Sequence, residues 1–132
     1  MSERDAVLFV NELFYRAFTD RDVAGMQALW ADDPVACIHP GWGALTTRHD
    51  VLESWRRILT SDNAPQVTCR QPRAVVMGDV AFVICYEEIS GNFLVATNVF
   101  RRDGRTWKIV HHQAGPTAHV PAEDEIVLVR PN

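Results

Sequence analysis

His39 is the first side chain suited to chemistry near neutral pH. It opens the turn His39-Pro40-Gly41-Trp42-Gly43. A neutral imidazole titrates close to the working pH, which fits a general base. The ring would serve equally as turn architecture, bonded to backbone and packed beneath Trp42, and both readings stand at this point. Asn98 shares a strand face with Leu94, Ala96 and Phe100. An amide on an otherwise apolar face needs a partner, because burying it unpaired costs about 1–3 kcal/mol. A ligand carbonyl, His39 or a backbone group would each serve. His111 and His112 are adjacent on a strand and so point to opposite faces. Parity with Trp107, Ile109 and Gln113 puts His111 inward and His112 outward. On another strand Phe82, Ile84, Tyr86 and Glu88 share a face read as inward, with Glu88 at the rim beside an arginine. Trp30 and Trp55 read as core indoles, and Trp42 as a pocket wall or lid.

Other chemistries have weaker signals. No HxxH or HxH spacing suggests a metal site, and no Gly-rich loop precedes a helix to cradle phosphate. Cys37 and Cys85 sit in apolar strands, where thiols are usually inert packing. No metal or cofactor is therefore expected. Lys and Arg number 13 against 17 Asp and Glu, a net charge of −4. That balance argues against nucleic-acid binding by phosphate neutralisation. The 3 cysteines form no CxxC pair, so neither a disulfide framework nor structural zinc is expected, and a reducing cytoplasm is the expected location. No apolar run approaches the ~20 residues that span a bilayer, and the start MSERDAVLFVNELF lacks a secretory cleavage site.

The elements that must position these residues are legible. Val7, Val10, Leu13, Phe14, Ala17 and Phe18 recur at helical spacing, with Ser2 as the candidate N-cap. Asp22 can cap a shorter helix carrying Val23, Met26, Leu29 and Trp30. Residues 35–39 form a strand candidate. A third helix is expected over about 49–59, with Val51, Leu52, Trp55, Ile58 and Leu59 on one face. Strands are expected over 66–77, 80–90, 93–102 and 106–114, separated by Gly78-Asp79, Gly91-Asn92 and Asp103-Gly104. Such tight connections require antiparallel neighbours. Helices followed by a meander define an α+β class in a single domain over 1–132, with 116–132 an extension. Its run Ile126–Val129 is expected to add an edge strand or dock on a partner subunit.

These pieces together resemble the NTF2-like superfamily, in particular its SnoaL-like and ketosteroid-isomerase-like members. The resemblance rests on residues 22–33 (DVAGMQALWADD), 38–42 (IHPGW), 98–102 (NVFRR) and 107–112 (WKIVHH). It implies a cone: three N-terminal helices packed in a strongly curved mixed or antiparallel sheet, around an apolar pocket open at one end. In ketosteroid isomerase an Asp base faces an oxyanion hole of Tyr and protonated Asp. By position the resemblance places His39 at that base and Asn98 at the protonated Asp. It places Phe14 at the Tyr, with Tyr15 one step away, so Tyr86 becomes a candidate for the missing hydroxyl.

The expectation that follows is a pocket protein for a small apolar molecule bearing a carbonyl or hydroxyl, with His39 moving a proton and Asn98 steadying the developing oxyanion. Phe14, Tyr15, Phe18, Trp30, Trp42, Trp55, Phe82, Ile84, Tyr86, Phe100, His111 and Gln113 would line it. The alternative is a non-catalytic dimerisation or ligand-sensing module. An open cavity between His39 and Asn98 favours the first, and a plugged one the second. Both faces of the second long strand are largely apolar, so a homodimer is expected through an outer face carrying Ala81, Val83 and Ile89.

Overall fold

The first helix, α1 (Glu3–Thr19), begins where Ser2 Oγ accepts the Asp5 amide at 3.0 Å. Glu3 and Asp5 place negative charge against the positive end of its dipole. The computed structural model describes residues 1–122, so Ile126–Val129 lies outside the described residues. Helix α2 (Val23–Leu29) starts at Asp22, whose carboxylate accepts the Gly25 amide at 2.9 Å. Gly25 leaves room for that cap, since a Cβ there would stand 2.4 Å from an Asp22 carboxylate oxygen and the Asp22 side chain would have to shift. Strand β1 (Ala36–Ile38) follows. Thr47 then caps α3 (Arg48–Thr60). Arg48 ties α3 back to the preceding segment by donating to the carbonyls of Ala31 and Gln27.

Strands β2 (Thr68–Met77), β3 (Val80–Ile89), β4 (Asn92–Asp103) and β5 (Thr106–Pro116) complete the chain's described elements. One sheet runs in the order β1-β5-β4-β3-β2. The β2–β5 meander is antiparallel and β1 joins β5 in parallel. The fold is the α+β cone expected: three helices in a curved five-stranded sheet. Phe14, Met26, Trp55, Leu59, Phe100 and Ile109 are fully buried at its centre.

Two features of register decide which side chains face inward. The β3–β4 turn places Ser90 and Gly91 at φ 52° and 82°, the left-handed pair of a two-residue type I′ hairpin. It sets Asn98 opposite Val83 and Ala96 opposite Cys85. Ala81, Val83, Cys85 and Glu87 are buried inside the cone. The expected parity of β3 is therefore corrected. Phe82, Ile84 and Tyr86 lie on the outer face, with Ile84 42% exposed, because cross-strand partners share a face. Ala81 and Val83, expected at the dimer surface, are core. In β5 a bulge moves pairing from Val99–His111 to Phe100–Ile109 and leaves Val110 over. One extra residue reverses parity. Trp107 and Ile109 face inward as expected, but His112 is buried, while His111 and Gln113 take the outer side.

Candidate functional site

The centre of the cone holds a connected polar cluster. Asn98, fully buried on β4, donates from Nδ2 to Asn11 Oδ1 at 2.8 Å and to Tyr15 Oη at 3.2 Å. Its Oδ1 accepts from His112 Nδ1 at 2.6 Å. Tyr15 Oη donates to Glu87 Oε2 at 2.7 Å and lies 3.3 Å from Cys85 Sγ. Helix α1 supplies Asn11 and Tyr15 at four-residue spacing on its sheet-facing side. The sheet supplies Glu87, Asn98 and His112.

Burial sets the protonation of this cluster. It pushes the Glu87 carboxyl up to about 7, against the Tyr15 hydrogen bond that lowers it. Burial carries the Tyr15 phenol well above its usual range, and the nearby Glu87 carboxyl adds to the rise. His112 is pushed down to about 3 by burial, with His39 and His111 adding repulsion. At neutral pH the cluster is thus a neutral imidazole, two amides and a phenol around a carboxyl that burial brings into the neutral range.

His39 is also buried, but apart from this cluster. Its Nε2 donates to Ser54 Oγ at 2.9 Å, and that hydroxyl is itself donated to the Val51 carbonyl at 2.7 Å. The ring lies between Trp42 and Trp55, with both centroids 4.8 Å away. Burial pushes its pKa down to about 4, which makes it a weak base. Among the described residues the space between His39 and Asn98 is plugged, so the open cavity expected of an enzyme site centred on His39 is not found there. Trp55, Phe14 and His112 fill the space, with Phe14 edge-on to Trp55 at 5.4 Å and 5.1 Å from the His112 ring. Phe18 and Trp55 also meet edge to face. Trp30 and Phe100 are core.

The open space lies elsewhere. A cleft of about 850 Å³ runs between α1 and β2. Leu8, Val67 and Cys69 form walls, Asn11 and Tyr15 lie along the floor, and Arg16, Asp20 and Arg73 stand at the rim. Thr19 closes one end, its hydroxyl donating to the Val67 carbonyl and accepting the Val67 amide. Pairing in β2 jumps from Arg70 to Arg73, with Gln71 at φ 53°. Pro72 has no N–H to give the ladder, and this bulge bends β2 where Gln71, Pro72 and Arg73 line the cleft.

Of the expected site residues, Tyr15 alone lines this cleft, and Asn98 lies behind it, bonded to both floor residues. The hydroxyl beside Asn98 belongs to Tyr15, not to Tyr86. Tyr86 instead meets the His119 ring at 5.3 Å outside. Trp42 is 42% exposed over His39. Glu88 pairs with Arg70 at 2.8 Å, as the rim reading expected. Sequence reasoning missed Asn11, Glu87 and Ser54, and placed His112 on the outer face where the structure buries it. The hairpin register would have found Glu87, since an inward Asn98 forces Val83, Cys85 and Glu87 inward too. Among the described residues no three His, Cys, Asp or Glu side chains are grouped to hold a metal ion, and no helix is long and apolar enough to cross a membrane.

A curved sheet wrapped on three helices with a polar cluster inside defines the NTF2-like class. The SnoaL-like domain family model matches residues 7–119, and the chain belongs to that family. It is similar to an NTF2-like structure from Streptomyces avermitilis described as a candidate dehydratase. The two share 32% identity at a TM-score of 0.82, covering 89% of this chain and 97% of that one. A second structure, from Thiobacillus denitrificans, is described as a candidate calcium/calmodulin-dependent protein kinase type II association domain. It is 31% identical at a TM-score of 0.76, covering 82% and 92%. F-box protein SKIP8 of Arabidopsis thaliana is 28% identical over 112 residues, 83% of this chain and 48% of that protein. The chain thus spans about half the length of this relative.

Proposed function

We propose that the chain binds a small, mostly apolar molecule carrying one polar oxygen group, and binds it in the cleft between α1 and β2. The observation that carries this reading is a cleft of about 850 Å³ with Leu8, Val67 and Cys69 in its walls, Asn11 and Tyr15 on its floor, and the charged Glu12, Arg16, Asp20 and Arg73 around them. Pockets of that make-up use apolar area for affinity and a few polar groups for orientation. Tyr15 is hydrogen-bonded to Glu87, so a group exchanging protons near neutral pH stands one hydrogen bond behind the bound molecule. That capacity suits isomerisation or dehydration, the latter in keeping with the description of the Streptomyces relative. In this reading Glu87, standing behind the Tyr15 hydroxyl, replaces His39 as the group that titrates near neutral pH.

The test is a titration with 6-propionyl-2-dimethylaminonaphthalene, a ketone whose emission shifts to the blue on leaving water. The expected result is saturable binding that Leu8→Trp, which fills the cleft, abolishes. The outer-face variant Ile84→Glu should leave it unchanged. Binding that survives Leu8→Trp and disappears in Ile84→Glu would place the probe on the sheet surface and overturn the reading.

A specific observation also favours self-association. Val75, Met77, Val80, Ile84 and Val95 share the outer sheet face and are each more than a third exposed. A contiguous apolar face of this kind usually marks an interface. The proposed occupant is a second copy of the chain, in keeping with the Thiobacillus relative's description as an association domain. Phe82, Ile84 and Val95, rather than Ala81 and Val83, form its centre. The dimer face and the cleft are separate, so both readings hold together.

A further inference from the structure

The polarity of the buried hydrogen-bond chain assigns a chemical class to the bound oxygen group, on the reading that the cleft binds such a molecule. His112 Nδ1 donates to Asn98 Oδ1 at 2.6 Å, which turns the Asn98 amide so that Nδ2 points at α1. Both Nδ2 hydrogens are then used, one on Asn11 Oδ1 and one on Tyr15 Oη. The Asn11 oxygen is therefore taken from behind. What Asn11 turns to the cleft is its Nδ2, carrying two N–H donors. Among the described residues its acceptor is the Cys69 sulfur at 3.8 Å, a weak one that leaves the second N–H unmatched. Asn11 is 1% exposed, so this is a buried donor without a good acceptor, a costly arrangement unless a ligand supplies one. Tyr15 Oη accepts from Asn98 and donates to Glu87, so its hydrogen is also committed away from the cleft.

We infer that the cleft selects a hydrogen-bond acceptor, a ketone, aldehyde or ester carbonyl, over a hydroxyl. Asn11 is the specificity-determining residue, and Asn98 and His112 are positioning residues that fix which way it faces. A carbonyl oxygen accepts the second Asn11 N–H and brings no hydrogen of its own. An alcohol of the same shape also accepts from Asn11, but at the floor its O–H then meets the Cys69 sulfur or a Tyr15 oxygen whose two lone pairs already face the Asn98 N–H and the Cys85 S–H, the Glu12 and Asp20 carboxylates standing out at the rim. The mismatch disfavours the alcohol by about fivefold to tenfold, the worth of one modest hydrogen bond.

The experiment compares cyclohexanone with cyclohexanol on the full chain, reading affinity and the Asn11 side-chain amide protons by NMR. The expected result is tighter ketone binding by about that factor, with a downfield shift of one Asn11 amide proton on adding ketone. Asn11→Leu should bring the ketone-to-alcohol ratio close to one while circular dichroism reports the same fold. Should that variant fail to fold, the wild-type ratio and the Asn11 proton shift decide alone. Equal affinities, or a preference for the alcohol, would overturn the acceptor assignment and leave binding in the cleft standing. If neither compound moves any resonance of the cleft, the binding reading falls and this inference falls with it.

Discussion

Replacing Glu87 by Gln tests the electrostatics of the interior. Glu87 is 2% exposed, and Tyr15, Cys85, Cys69 and His112 stand around it. Burial raises its carboxyl from 4.5 to about 7. In the unfolded chain the group ionises near 4.5, so between 4.5 and 7 the native state holds more protons. Stability from this group therefore falls as pH rises through that window, and above pH 7 the loss amounts to ~3 kcal/mol. His39 works in the opposite sense. Its pKa drops from 6.5 to about 4, so the unfolded state takes up a proton first as pH falls, and stability is lost on acidification from 6.5 downward. That loss is also ~3 kcal/mol, and His112, pushed down to about 3, adds to it. The wild-type profile between pH 4.5 and 6.5 is thus a partial cancellation. Glu87→Gln keeps an oxygen for the Tyr15 hydroxyl and removes the opposing acid. Urea unfolding followed by tryptophan fluorescence, at pH 4.5 to 8.5 and fixed protein concentration, should show the variant gaining ~3 kcal/mol relative to wild type across that range. A difference between the two proteins that stays constant with pH would refute the assignment of a buried, raised carboxyl.

The remaining predictions concern single contacts. Tyr15→Phe removes the hydrogen bond that lowers the Glu87 pKa, so carboxyl NMR should show Glu87 titrating higher than in wild type. Ser54→Ala leaves the buried His39 Nε2 with only the weak Cys37 sulfur at 3.7 Å, and thermal unfolding should report a loss of about 1–3 kcal/mol. Phe14→Ala opens a cavity among Trp55, Tyr15 and His112 and should cost about 3–5 kcal/mol in denaturant unfolding. Ile84→Glu places a charge in the centre of the outer face, and light scattering should find wild-type dimers and a monomeric variant.

The order of elements could be read from the sequence because each has local signals. Ser2 and Asp22 cap helices, helical spacing marks three apolar stripes, and glycine turns separate four β-rich runs. The facing of the strands was harder to read. Both sides of β3 are apolar, so alternation alone carries no sign, and an acid at Glu87 reads naturally as solvent-facing. The Asn98 position was legible, and the two-residue turn ties its facing to that of Val83 and Glu87. In β5 the histidine pair inverts because Val110 is an extra residue, a feature with no glycine or proline to announce it. Asn11 was hidden in an amphipathic helix, where one polar residue on the packed face looks like noise until Asn98 is found opposite it. The cleft owes its position to the bulge at Gln71 and Pro72, within a stretch that otherwise reads as continuous strand.

The central claim is that the working space of this domain lies between α1 and β2, over Asn11 and Tyr15, and not at His39. The most direct measurement is a heteronuclear NMR titration of the full chain with cyclohexanone. Saturable shifts concentrated at Asn11, Tyr15, Val67 and Cys69, with His39 and Ser54 unmoved, are the predicted result. Shifts centred on His39, Trp42 and Ser54, or on Phe82, Ile84 and Val95 of the outer face, would contradict it.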